Sequence, residues 1–154
     1  MEPFFVDFLR LLEEKHADFA AALEGVPAEA VNWEPGTGMN SLAVLAVHTA
    51  GAERFWIGDI AIQEPLARDR PGEFATADYT AERAVARLEW SLAYARGALG
   101  RLSVAELAAP RVNPRNGGET TVGWALLHAL EHTAMHAGHA QISRQLWEAR
   151  APRR

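Results

Sequence analysis

Four of the six histidines in this chain fall within one run, His128-Ala-Leu-Glu-His132-Thr-Ala-Met-His136-Ala-Gly-His139. An α-helix advances ~100° per residue, which sets His132, His136 and His139 at about 40°, 80° and 20° from His128. The four imidazoles therefore share one stripe, and apolar Trp124, Met135, Ile142 and Leu146 on or beside it predict that the stripe faces a core. Imidazoles four apart sit roughly 5–6 Å apart at Cβ, close enough for two ring nitrogens to converge on one ion. Polar rings against a core are costly unless something pairs with them. A lone histidine in such a place is ordinarily a hydrogen-bonded core residue, but four on one arc each need a partner. One metal ion is the economical solution. His-x3-His alone is a moderate signal, and a third ligand from elsewhere would make it a strong one.

His48 is the candidate for that ligand. On its own helix, Val44, Leu45, Ala52 and Phe55 lie within about 60° of it, so it points toward the core. His48, His132 and His136 could hold one divalent cation with three neutral imidazoles. Three protein ligands leave a position for water or substrate, the pattern of catalytic rather than structural sites. Zn²⁺, Ni²⁺ and Fe²⁺ all suit imidazole. His128 is open to three readings: an alternative ligand, a proton donor or base beside the metal, or a core ring bonded to backbone. His139 divides between acid–base work and structure. His16, at the edge of the first helix's apolar stripe, is expected to be half-exposed and structural.

Four amphipathic segments must position these residues. The first starts near Pro3, places Phe8, Leu12, Phe19 and Leu23 on one stripe, and stops at Gly25 and Pro27. One short turn is expected at Pro27 to Val31. The second helix is capped by Asn40 or Ser41 and runs to about Ala61. Pro65, Pro71 and Gly72 mark a long connection. The third is capped by Thr80 and carries Val85, Leu88, Leu92, Ala95 and Leu99 before Gly100. Residues 101–119 read as a crossover loop with a turn near Val104 to Leu107. The fourth helix begins at Thr120 or Thr121 and ends near Glu148. No strand pattern of useful length competes. The fold class is therefore all-α, a four-helix bundle whose long loops imply one or more crossovers. Residues 1–149 are expected to form a single domain, followed by a disordered basic tail at 150–154. Trp56, Trp124 and Phe55 are expected to pack in the bundle and wall a substrate pocket, and Trp90 and Tyr94 to cover the long loops or form a dimer patch.

Composition narrows the function. The chain of 154 residues carries a net charge of −5 and has no cysteine, so no thiolate can serve as ligand or nucleophile. No basic face is available to neutralise phosphates, which argues against nucleic acid as partner. No signal peptide is apparent, and the apolar stretch from Leu42 to Ile62 is broken by His48, Glu53, Arg54 and Asp59, so no membrane span is expected. A cytoplasmic setting is compatible with these features.

The run Asn32-Trp33, then Asn40-Ser41-Leu42-Ala43-x-Leu45-x-x-His48 and Glu53-Arg54-x-Trp56, together with the histidine run of 128–139, resembles the DinB/YfiT-like superfamily. These are four-helix-bundle, metal-dependent thiol S-transferases, mycothiol-dependent branches among them, and the resemblance spans nearly the whole chain. It implies His48, His132 and His136 as metal ligands, with His139 beside the metal rather than on it. It also implies a divalent metal, a low-molecular-weight thiol, a small-molecule substrate and a homodimer. His128 and His139 are the candidate catalytic acid–base residues. Two alternatives stay open: a metal-dependent hydrolase, and a non-catalytic, stress-associated metal-binding bundle.

Overall fold

The structure is a computed structural model and describes residues 1–150. The expected tail at 151–154 lies outside the described residues, whereas Arg150 stacks its guanidinium over Trp33 and Trp147, at 4.7 and 4.1 Å. Six α-helices follow one another: α1 (Pro3–Leu23), α2 (Ala28–Val31), α3 (Leu42–Arg54), α4 (Arg70–Phe74), α5 (Ala81–Leu99) and α6 (Val122–Ala149). α3 passes without a break into a π-helical segment, Phe55–Ile62, so the helical run is as long as its periodicity predicts but changes winding halfway. The expected caps at Ser41, Thr80 and Thr121 each accept the backbone N–H three residues on, at 3.2, 3.3 and 3.2 Å.

Two apolar clusters form the core. One holds Phe5, Phe8, Leu12, Phe55, Ile57, Ile60, Leu99 and Leu126. The other holds Phe19, Leu23, Val31, Leu42, Leu45, Leu88 and Ala137. α1 and α6 run from the first cluster to the second, while α3 and α5 run the other way. α3 touches both α5 and α6, and α1 touches the same two. Parallel neighbours cannot be joined by tight turns, so α3 and α5 require the crossover that the long 63–80 connection supplies.

A polar layer separates the clusters, with one residue from each long helix: His16, Glu53, Ser91 and Thr133, all buried. His16 Nε2 lies 2.7 Å from Glu53 Oε2, and Thr133 Oγ1 donates to the same oxygen at 3.3 Å. The expectation of a half-exposed His16 is thus corrected, because a fully buried carboxylate on α3 draws the ring inward.

Three more elements depart from the sequence reading. The 63–80 connection contains α4, started by Asp69, whose Oδ1 accepts Gly72 N–H at 3.0 Å. Residues 101–121 hold the expected turn, which is 3₁₀ (Val104–Ala108), but also an unexpected small antiparallel hairpin, β1 (Pro110–Val112) with β2 (Glu119–Thr121). Finally, Trp124, Met135, Ile142 and Leu146 stand 49, 48, 53 and 41% exposed, so the apolar flank of the histidine stripe is at the surface. The face of α6 that meets the core is instead Val122, Ala125, Leu126, Ala129, Thr133, Ala137 and Ala140. Small side chains there let α1 and α3 approach closely. Among the described residues no helix is long and apolar enough to cross a membrane.

Candidate metal centre

α3 and α6, antiparallel neighbours, carry the site. His48 projects from the middle of α3, and His132 and His136 project one turn apart from α6. One nitrogen from each ring lies within 4.8 Å of the other two. The Nε2 atoms of His132 and His136 are 3.2 Å apart. Tetrahedral coordination with bonds of 2.0–2.1 Å places neighbouring ligand atoms about 3.3 Å apart, so this pair already has the required spacing. His48 and His136 are buried, and His132 is half-buried.

Electrostatics keep the two α6 rings, His132 and His136, neutral. Burial, followed by the neighbouring His136, His48 and His128 rings, pushes His132 down to about 3. Burial, His48 and His139 push His136 down to about 4. Neutral imidazole is the form that offers a lone pair to a cation. His132 Nδ1 is buried without a hydrogen-bond partner among the described residues.

His48 has a support that the sequence reading missed. Glu73, on α4, lies 2.9 Å from His48 Nδ1 through Oε2. A carboxylate only accepts, so Nδ1 carries the proton and Nε2 keeps its lone pair for the cluster. Arg68 grips Glu73 with Nε on Oε1 at 2.6 Å and Nη2 on Oε2 at 2.7 Å. Burial raises the Glu73 carboxyl, but its hydrogen bonds to His48 and Arg68 outweigh that and hold it below the usual carboxylate range. Gly51 makes the approach possible: a Cβ there would collide with the Glu73 carboxylate. Phe74 packs on the other side of His48, ring centroids 4.6 Å apart.

The other two histidines of the run lie outside the converging group. His139 is exposed and sets Nδ1 3.3 Å from His136 Nδ1. His128 stacks on Trp124 with centroids 4.8 Å apart and planes 13° from parallel. Its centroid is 6.0 Å from that of His132. Trp56 meets both His128 and Trp124 edge-on, at 4.7 and 5.3 Å. Tyr94 donates to Glu64 of the long connection at 3.0 Å, and Arg54 lies 3.8 Å over its ring. Gly58 in the π-helical segment leaves the space through which Arg54 folds back.

An antiparallel helix pair that gathers three histidines at the middle of a crossover bundle defines a class, the DinB/YfiT-like bundles. A sequence model of the mycothiol-S-transferase family matches residues 7–149, and the chain belongs to that family. A solved structure described as a conserved protein of locus from Enterococcus faecalis superposes with a TM-score of 0.76 at 20% identity, covering 97% of this chain and 99% of that one. At that identity the likeness speaks for the fold alone. No curated protein matches the chain.

Proposed function

We propose that this protein is a metal-dependent S-transferase that joins a low-molecular-weight thiol to a small electrophile, with His48, His132 and His136 as the metal ligands. The observation that carries the reading is the convergence of one nitrogen from each of these rings within 4.8 Å. The family match supplies the thiol and the transfer. The donor set fits Zn²⁺, Ni²⁺ or Fe²⁺: three neutral imidazoles, with no carboxylate or thiolate in the group.

A divalent cation held there would lower the pKa of a bound thiol, so that a sulfur nucleophile exists at neutral pH. The chain's own residues do the rest. Glu73 fixes the His48 tautomer, and Arg68 keeps Glu73 charged and in place. With a cation at its Nε2, His136 would carry its proton on Nδ1 and donate it to His139 Nδ1, 3.3 Å away. His139 is exposed and can pass a proton to solvent. His128, packed against both Trp56 and Trp124 beside His132, is positioned to take the proton of an incoming thiol.

Elemental mass spectrometry on tag-free protein tests the reading. About one divalent ion per chain is expected, lost in His132→Ala with helical content retained. Undiminished metal in that variant would sink the ligand assignment. With metal in place, thiol-dependent consumption of model electrophiles that chelation abolishes is expected, whereas turnover without thiol would transfer the site to hydrolysis.

A further inference from the structure

A cleft of about 440 Å³ lies between the β1–β2 hairpin and the Trp56–Trp124 pair, lined by Trp56, Asn113, Asn116, Glu119, Thr120 and Trp124. Its walls are fixed by the fold. Arg111 ties the hairpin to the end of the π-helical segment, donating through Nε and Nη2 to Ala61 O at 3.1 Å each. Val122 N–H donates to Ala109 O at 3.1 Å, closing the hairpin onto the start of α6. Trp124 is held in a parallel stack by His128 on one side, yet remains 49% exposed. An indole with one face already stacked offers the same geometry to a second flat ring.

The polar groups of the cleft select further. Asn113 Oδ1 and Asn116 Oδ1 accept the N–H groups of Arg115 and Gly118, at 3.0 and 2.9 Å. Each amide is thus oriented, and neither NH₂ meets an acceptor among the described residues. They would donate to acceptor oxygens on the rim of a ligand. Among the described residues no lysine or arginine lines the cleft, and Glu119 does. Arg115, from the same turn, lies over Phe55 instead, 5.6 Å from its centroid. An anionic ligand would find no counter-charge here.

We propose that this cleft binds the electrophilic substrate, and that this substrate is an uncharged planar ring bearing carbonyl oxygens, of the quinone or enone class. The inference rests on the S-transferase reading for the word substrate, but the binding does not. Two ring-to-ring steps, 4.8 Å from Trp124 to His128 and 6.0 Å from His128 to His132, separate the cleft from the three-histidine cluster. A flat ring stacked on Trp124 therefore docks two rings away from the place where a thiol would be held, so the cleft is a capture subsite that precedes transfer rather than the point of transfer. A separate pocket beside α3 differs in carrying three cationic groups, Arg54, Arg68 and Arg87.

The probe is 2,3-dimethyl-1,4-naphthoquinone, whose blocked ring positions prevent thiol addition, titrated into the full chain by calorimetry with no thiol present. Saturable binding is expected, weakened at least tenfold by Trp124→Ala and unchanged by Trp33→Phe. Asn116→Asp keeps the acceptor for Gly118 N–H and removes only the NH₂, so it is expected to weaken binding about fivefold with the melting curve unmoved. Naphthalene-2-carboxylate and methyl glucopyranoside should not bind. Absence of naphthoquinone binding, binding indifferent to both Trp124→Ala and Asn116→Asp, or preference for the carboxylate or the sugar would overturn the proposal. The His132→Ala variant separates the two readings. Quinone binding retained there without any transferase activity in the parent protein fails the function and keeps the cleft, whereas activity without quinone binding does the reverse.

Discussion

The molecule contains two buried histidine–glutamate pairs, and only one belongs to the converging cluster. His48–Glu73 and His16–Glu53 are alike in distance, 2.9 and 2.7 Å, and in burial. They differ in which nitrogen is engaged and in what lies beyond. Glu73 takes His48 by Nδ1, leaving Nε2 for His132 and His136, and is itself gripped by Arg68. Glu53 takes His16 by Nε2, shares that oxygen with Thr133, and leaves Oε1 with no partner among the described residues. A paired histidine is therefore not the signature of the site. Convergence of free nitrogens is, and the second pair serves as a polar joint between the two apolar clusters.

The sharpest test of this contrast is loss of metal. His132→Ala should weaken metal binding by orders of magnitude, while His16→Gln should leave about one ion per chain, both read by chelator competition. Equal losses would erase the distinction. The next largest effect belongs to the other pair. Glu53→Ala strips a buried ring of its partner and should cost about 3–5 kcal/mol in urea unfolding, with metal stoichiometry retained in the folded fraction. A smaller effect is expected at Glu73, where Glu73→Gln should lower metal affinity by about 10–100-fold and change metal-free stability little. Gly51→Ala should move affinity in the same direction by displacing Glu73 without altering any ligand, and an unchanged affinity there would argue that Glu73 does not tune His48.

The gentlest expected effect is on pH dependence. His132 and His136, at about 3 and 4 in the folded chain, lie below the ordinary ~6.5 of histidine. Between those values the unfolded chain binds more protons than the folded one, so metal-free stability is full above about 6.5 and drains as pH falls toward 4 and then 3. Replacing both rings by glutamine should flatten that decline in a thermal-melt series, and a slope left intact would place its origin elsewhere.

The sequence was legible where periodicity and caps speak. The four long helices, the caps at Ser41, Thr80 and Thr121, and the histidines that converge could all be read from spacing. What escaped has local physical reasons. α4 is too short to show a period, so Glu73 and Arg68 gave no signal beyond a prolyl-glycyl turn. The hairpin strands are three residues each, below any alternation pattern. The π-helical segment depends on Gly58 admitting the Arg54 guanidinium, a contact invisible in composition. A helical wheel shows which residues share a face but not what covers it, so Trp124, Met135, Ile142 and Leu146 looked like core and lie at the surface. His16 erred the other way, because its partner is 37 residues distant in the chain.

The position of Glu73 in the α3-to-α5 crossover has a kinetic consequence. That connection lets α3 and α5 lie parallel, and it also delivers the carboxylate that orients His48. A chain that docks its helices but lays the crossover on the wrong side would present the same three histidines without Glu73, and would hold an ion weakly. Under the proposed metal binding, metal retention would thus double as a proofreading signal for topology. In a refolding experiment the last, slowest gain in affinity should coincide with closure of the crossover rather than with helix formation.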